Sequence, residues 1–146
     1  MKASARRAGT DVAGTIAAVL ESGAVSGVVS AYLFGSEAQG RAHRESDVDV
    51  GVVLRYDEHP TTRDRFETRL RLHTELGAAL RREVDVIVLN DAPPLLARRV
   101  VLSGYRVFCG DADGDHGFVR DVQLRAADVE PFIRRTRRAK LSALRR

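Results

Sequence analysis

Four short runs of apolar and β-branched residues alternate, over 146 residues, with stretches of helical spacing or turn character. That alternation limits the fold more than any other feature, because runs this short suit buried strands and not helices. The runs are Val28–Phe34 (VVSAYLF), residues 47–54 (DVDVGVVL), residues 83–89 (EVDVIVL) and Tyr105–Cys109 (YRVFC), the last expected as an edge strand. Residues 10–22 carry Val12, Ile16, Val19 and Leu20 at helical steps, and Gly23 follows as a stop. Residues 60–82 form the longest helical stretch, with Phe66, Leu70, His73, Leu76 and Leu80 predicted to share the packed face. Pro60 suits its first position. A turn at residues 90–94 leads to a short helix over 94–103, closed by Gly104. The last helix is expected over 116–138, with Pro131 inside it. The order predicts an α/β (α+β) domain, a small mixed sheet flanked by helices and ending in a C-terminal helix. At this length a single domain over residues 1–146 is expected, with the basic tail 134–146 as part of it.

Charge and composition exclude several functions. Apolar residues at 44% and charged residues at 30% suit a soluble globule and argue against disorder. Aromatics at 5%, with no Trp, leave no stacking platform for single-stranded nucleic acid. The net charge of +4 is a property of the tail: residues 134–146 hold seven of the 24 basic residues and no acidic one. The remainder has 17 basic against 20 acidic residues. No basic face for a duplex is indicated, so direct nucleic-acid binding is not expected. The tail could meet RNA or an acidic partner, but a solvated, fraying helix end is the simpler expectation. One cysteine, Cys109, rules out an internal disulfide and a multi-cysteine metal site, and its strand setting predicts a buried position. No run reaches the ~20 apolar residues of a membrane span. Asp11 and Thr15 interrupt the N-terminal apolar stretch, so no secretory signal is expected. The expectation is a cytoplasmic protein without membrane contact.

The chemistry-bearing residues lie at strand ends. Asp47 and Asp49 flank Val48, and residues two apart on a strand project to one face. Paired carboxylates repel unless protonated or neutralised, and Mg²⁺ prefers such oxygen donors together with phosphates. Asp85 repeats the pattern inside an apolar strand, where a charge is costly without a partner. If the two strands are neighbours, three carboxylates converge. Gly35-Ser36 follows the first strand, where glycine lets backbone approach a ligand and the next amides can donate to phosphate. Each feature alone also fits a solvated strand end or an ordinary turn.

Together they resemble the minimal nucleotidyltransferases of the polymerase-β-like superfamily. The residues carrying the resemblance are Leu33-Phe34-Gly35-Ser36, Gly40, Ser46-Asp47-Val48-Asp49 and Asp85. It implies that Asp47, Asp49 and Asp85 are catalytic and hold two Mg²⁺ ions. It also implies that Gly35, Ser36, Gly40, Arg41 and Ser46 bind the nucleotide. The family motif commonly carries an arginine three residues after the serine; here Gln39 stands there, and Arg41 or Arg44 would supply the charge. The region from Asn90 through Gly104 and Cys109 to Asp128 and Pro131 resembles the antitoxins paired with HEPN-domain ribonuclease toxins. That resemblance implies transfer of AMP from ATP to a tyrosine hydroxyl of a HEPN toxin. Two alternatives stay open: a nucleotidyltransferase for a small hydroxyl compound such as an antibiotic, its pocket built here or across a homodimer, and an antitoxin acting by binding alone.

The remaining polar residues read more plainly. Asp111, Asp113 and Asp115 start like a calcium loop, but His116 and Val122 occupy its glycine and glutamate positions, so a polar turn is expected. His43, His59, His73 and His116 show no ligand spacing; His73 is expected on a packed helix face and the others exposed. Tyr32 and Tyr105 are expected in the core.

Overall fold

Alternate valines build the sheet. The computed structural model describes residues 2–40 and 46–145, residues 2–11 by their backbone alone. Its elements are α1 (Lys2–Glu21), β1 (Val28–Phe34), β2 (Val48–Leu54), α2 (Thr62–Leu80), β3 (Val84–Val88), a 3-10 turn at Leu89–Asp91, α3 (Pro94–Ser103), β4 (Tyr105–Cys109) and α4 (Ala112–Leu144). The strands order as β3-β2-β1-β4. β1 runs antiparallel to β2 and β4, and β2 runs parallel to β3 through the α2 crossover. This is the expected mixed sheet with flanking helices.

Each sheet face is covered. On one, Val48, Val50, Val52, Val84, Val86 and Leu33 pack with Ile16 and Leu20 of α1 and Leu72 and Leu76 of α2. On the other, Val29, Tyr32, Val53 and Leu89 pack with Ala97 and Val100 of α3 and Val122 of α4. Each fully buried Val or Leu contributes about 1.5–3 kcal/mol, so alternation along β2 and β3 sets which face each residue takes. Among the described residues no helix is long and apolar enough to cross a membrane.

Several expectations are corrected. On α2 the buried residues are Arg65, Thr68, Leu72 and Leu76, while Phe66 and Leu70 are half-exposed and His73 is exposed. The packed face contains two polar residues because both are satisfied. The Arg65 guanidinium donates twice to the Asp91 carboxylate at 2.9 Å, to the His59 carbonyl at 2.8 Å, and lies 5.3 Å from the Tyr56 ring centroid. Thr68 donates to the Asp64 carbonyl at 3.0 Å. His59 is half-buried and not exposed, its ring lying 2.9 Å from the Ser26 carbonyl. α2 itself opens with a capping box between Thr61 and Asp64. Cys109 and Tyr105 are exposed because β4 is an edge strand; Tyr32, on central β1, is buried as expected. The tail stays helical to Leu144 and is solvent-exposed.

Residues 112–115 are not the expected polar turn; they form the first turn of α4. Asp111 caps it, accepting from the Gly114 amide at 3.0 Å. Asp115 is 2% exposed and accepts from the Ser30 and Tyr32 hydroxyls, each at 2.6 Å, and from Arg106 at 2.9 Å. Burial alone would raise the Asp115 carboxyl, but those three hydrogen bonds and the Arg106 charge outweigh it and hold it below the usual range. Burial and the adjacent carboxylate push the Tyr32 phenol upward. This network ties α4 to the centre of the sheet.

Asp115→Ala is expected to cost about 2–3 kcal/mol, since two buried hydroxyls lose their acceptor while half-exposed Arg106 can turn to water. Because the folded carboxyl is depressed, its stabilisation is complete above the unfolded value of about 4 and fades as pH falls below it. Urea unfolding should therefore show a steeper acid limb for the natural protein than for Asp115→Asn; equal limbs would contradict this.

Candidate active site

The carboxylates meet because β2 is central. Asp49 lies opposite Phe34 of β1 on one side and opposite Asp85 of β3 on the other. Paired strands lie about 4.8 Å apart, so Asp49 and Asp85 are neighbours. Asp47 precedes β2 by one residue and is exposed, Asp49 is half-buried, and Asp85 is exposed. Burial, then the charges of Asp85 and Asp47, raise the Asp49 carboxyl above its ordinary value. Asp49 is thus electrostatically frustrated, a condition that a hard divalent cation relieves. Among the described residues no three acidic, His or Cys side chains close into a ready-made metal cage. Asp85 faces Arg69 instead, at 3.9 Å.

The turn after β1 completes the site. Gly35 has φ +70°, and a Cβ there would run into the Asp49 carboxylate. Only glycine lets the backbone pass over Asp49 this closely. Ser36 follows, half-buried. The turn is held by the Gln39 amide donating to the Gly35 carbonyl at 3.2 Å and Gly40 donating to Glu37 at 3.3 Å. Gly40 is exposed with φ +68° and open space around it, so it shapes the turn at a distance from the carboxylates. Arg41 and Arg44 lie outside the described residues.

Two residues without a place in the sequence reading hold this segment. Arg82, in the turn between α2 and β3, pairs with Glu37 at 2.6 Å and donates to the Ser46 carbonyl at 2.6 Å. Glu37 is half-buried, with its side chain only 6% exposed. Arg82 thereby braces both the Gly35-Ser36 turn and the residue before Asp47. Its position within Arg81-Arg82-Glu83 looks like an ordinary charged turn, and only the position of Glu37 inside the motif could have suggested a partner.

Open space lies on both sides. A groove of about 390 Å³ beside the acidic edge is bordered by Asp47, Asp85, Arg69, Phe66 and Leu70. A cavity of about 220 Å³ lies beyond Gly35, under α3.

Residues 15–113 match the family described as polymerase beta, nucleotidyltransferase. The chain belongs to this family. Within the nucleotidyltransferase fold, the protein adenylyltransferase MntA of Shewanella oneidensis is 32% identical over 93 residues, which are 64% of this chain and 63% of that protein. The match thus spans less than two thirds of that relative's length. A crystal structure of a toxin–antitoxin with AMP-PNP is 26% identical, with a TM-score of 0.64, over 85% of this chain and 97% of its own. The fold is also shared, at 22% identity and a TM-score of 0.59, with a structure of tri-AMPylated Shewanella oneidensis HEPN toxin in complex with MNT antitoxin, over 86% of this chain and 95% of that one.

If the acidic residues act as one electrostatic unit, Asp85→Asn should lower the Asp49 carboxyl toward its ordinary value, with the part due to burial remaining. Carboxyl-carbon NMR titration reads this directly, and an unmoved Asp49 would show that the pair is not coupled.

Proposed function

We propose that this chain is a Mg²⁺-dependent adenylyltransferase antitoxin that transfers AMP from ATP to a tyrosine hydroxyl of a HEPN ribonuclease toxin. The observation that carries the reading is Gly35 folded directly over Asp49, with Asp47 and Asp85 coupled to it. A phosphate-approaching backbone and an oxygen-rich cation site there share one strand edge. Membership of the nucleotidyltransferase family supports the chemistry. The named activity of MntA and the AMP-PNP in the similar toxin–antitoxin structure support ATP and a protein acceptor. The resemblance to antitoxins of HEPN toxins supports the partner.

In this reading Asp47, Asp49 and Asp85 hold the metal. Bound Mg²⁺ neutralises phosphate charge and eases ionisation of the acceptor hydroxyl. Gly35 and Ser36 present backbone and hydroxyl donors to the triphosphate, with Gly40 and Ser46 shaping the segment and Arg41 adding charge. Asp85, beside the open groove, faces the acceptor and takes its proton. The tyrosine oxygen then bonds to the α-phosphorus as the bond to the β-bridging oxygen breaks, and pyrophosphate leaves. The product carries new negative charge on the toxin, which repels RNA. Half-exposed Phe66 and Leu70 border the groove that the acceptor must enter.

Mixing the protein with Mg²⁺, α-labelled ATP and the candidate HEPN toxin should label the toxin, and Asp47→Asn should remove the label while leaving the fold intact. A loss of about 10³-fold or more is expected from removing a metal-holding carboxylate. Silencing of the toxin by Asp47→Asn without label would assign neutralisation to binding alone. Label on a small hydroxyl compound and never on the toxin would assign the alternative acceptor.

A further inference from the structure

The cavity beyond Gly35 is lined by an arginine, Arg99, that no other described residue engages. Its walls include Phe34, Gly35 and Gln39 on one side and Leu96, Arg99 and Ser103 of α3 on the other. Arg99 is exposed, and among the described residues it has no hydrogen-bond or ion-pair partner. Its neighbour Arg98, by contrast, is paired with Glu130 at 3.2 Å. Ser103 and Gly104 also line the cavity and form the carboxyl end of α3, whose dipole disfavours an anion. Arg99 is the cation on that wall that reverses the sign.

Strand order gives the cavity its place in the reaction. Asp85, Asp49 and Gly35 stand in a row across β3, β2 and the end of β1, and the cavity continues that row beyond Gly35. An in-line displacement puts the leaving group opposite the nucleophile. With the acceptor at the Asp85 side and the α-phosphorus at the carboxylates, the leaving pyrophosphate points past Gly35 toward α3. We propose that Arg99 binds the pyrophosphate end of the nucleotide in this cavity, an inference that rests on the nucleotide site proposed above. Its guanidinium offers a planar fork of donors to the β- and γ-phosphate oxygens, with the Ser103 hydroxyl and Gln39 amide beside it. Gln39 borders the same cavity, across from Arg99 of α3.

Calorimetric titration of AMP-PNP, pyrophosphate and AMP in the presence of Mg²⁺ tests this on the natural chain, Arg99→Ala, Arg99→Gln and Arg98→Ala. Both Arg99 variants should bind AMP-PNP and pyrophosphate about tenfold or more weakly, with AMP affinity nearly unchanged. Arg98→Ala should leave all three ligands unaffected. If the Arg99 variants bind AMP-PNP like the natural chain, the role of Arg99 is wrong while the nucleotide site stands. If they lose AMP as strongly as pyrophosphate, the cavity takes the nucleoside and the assignment is overturned. If the natural chain binds none of the three ligands, the nucleotide site itself fails, and Arg99 with it.

Discussion

The site depends on the pairing of β2. Asp49 sits between Phe34 and Asp85 because β2 is held in register by both neighbours. That register is set by the buried valines, Val48, Val50 and Val52 against Val84, Val86 and Val88, all on one face. A slip of one residue would turn those valines to the opposite face and carry the aspartates into the apolar layer. Core packing and carboxylate placement are therefore one constraint. The same pairing delivers the end of β1 to Asp49, where Gly35 makes the close crossing possible.

Two buried or half-buried aspartates show how this fold divides structure from chemistry. Asp115 is satisfied by two hydroxyls and a guanidinium, and its carboxyl is held below the usual range. Asp49 has like charges as neighbours and is pushed above it. The first arrangement satisfies its carboxylate within the fold, whereas the second sets like charges side by side, a pattern common at functional sites. Arg82 sits between the two kinds: it pairs with half-buried Glu37 and donates to the Ser46 carbonyl, bracing the segment that precedes Asp49.

Much of this was legible from residue order. β1, α3 and β4 have the bounds expected from apolar runs and Pro or Gly punctuation, and Asp47, Asp49, Asp85 and Gly35 come together as their strand positions suggested. What could not be read was polar satisfaction. Arg65 and Thr68 look like solvent-facing residues until Asp91 and the Asp64 carbonyl are brought to them by the fold, and residue type alone points to Phe66 and Leu70 for the packed face of α2. Asp115 hid for the same reason, because its partners Ser30 and Tyr32 lie more than 80 residues away in sequence. Cys109 and Tyr105 carry core-type side chains on an edge strand, and the edge position leaves both exposed. Arg82 and Arg99 are single arginines in an arginine-rich chain, and only their neighbours distinguish them.

If Asp47, Asp49, Asp85 and the Gly35 turn form one nucleotide and cation site, Mn²⁺ with AMP-PNP should broaden the backbone amide signals of residues 35–36, 47–50 and 84–86, and this broadening should disappear for Asp49→Asn. Broadening centred elsewhere, or the same pattern in Asp49→Asn, would contradict it.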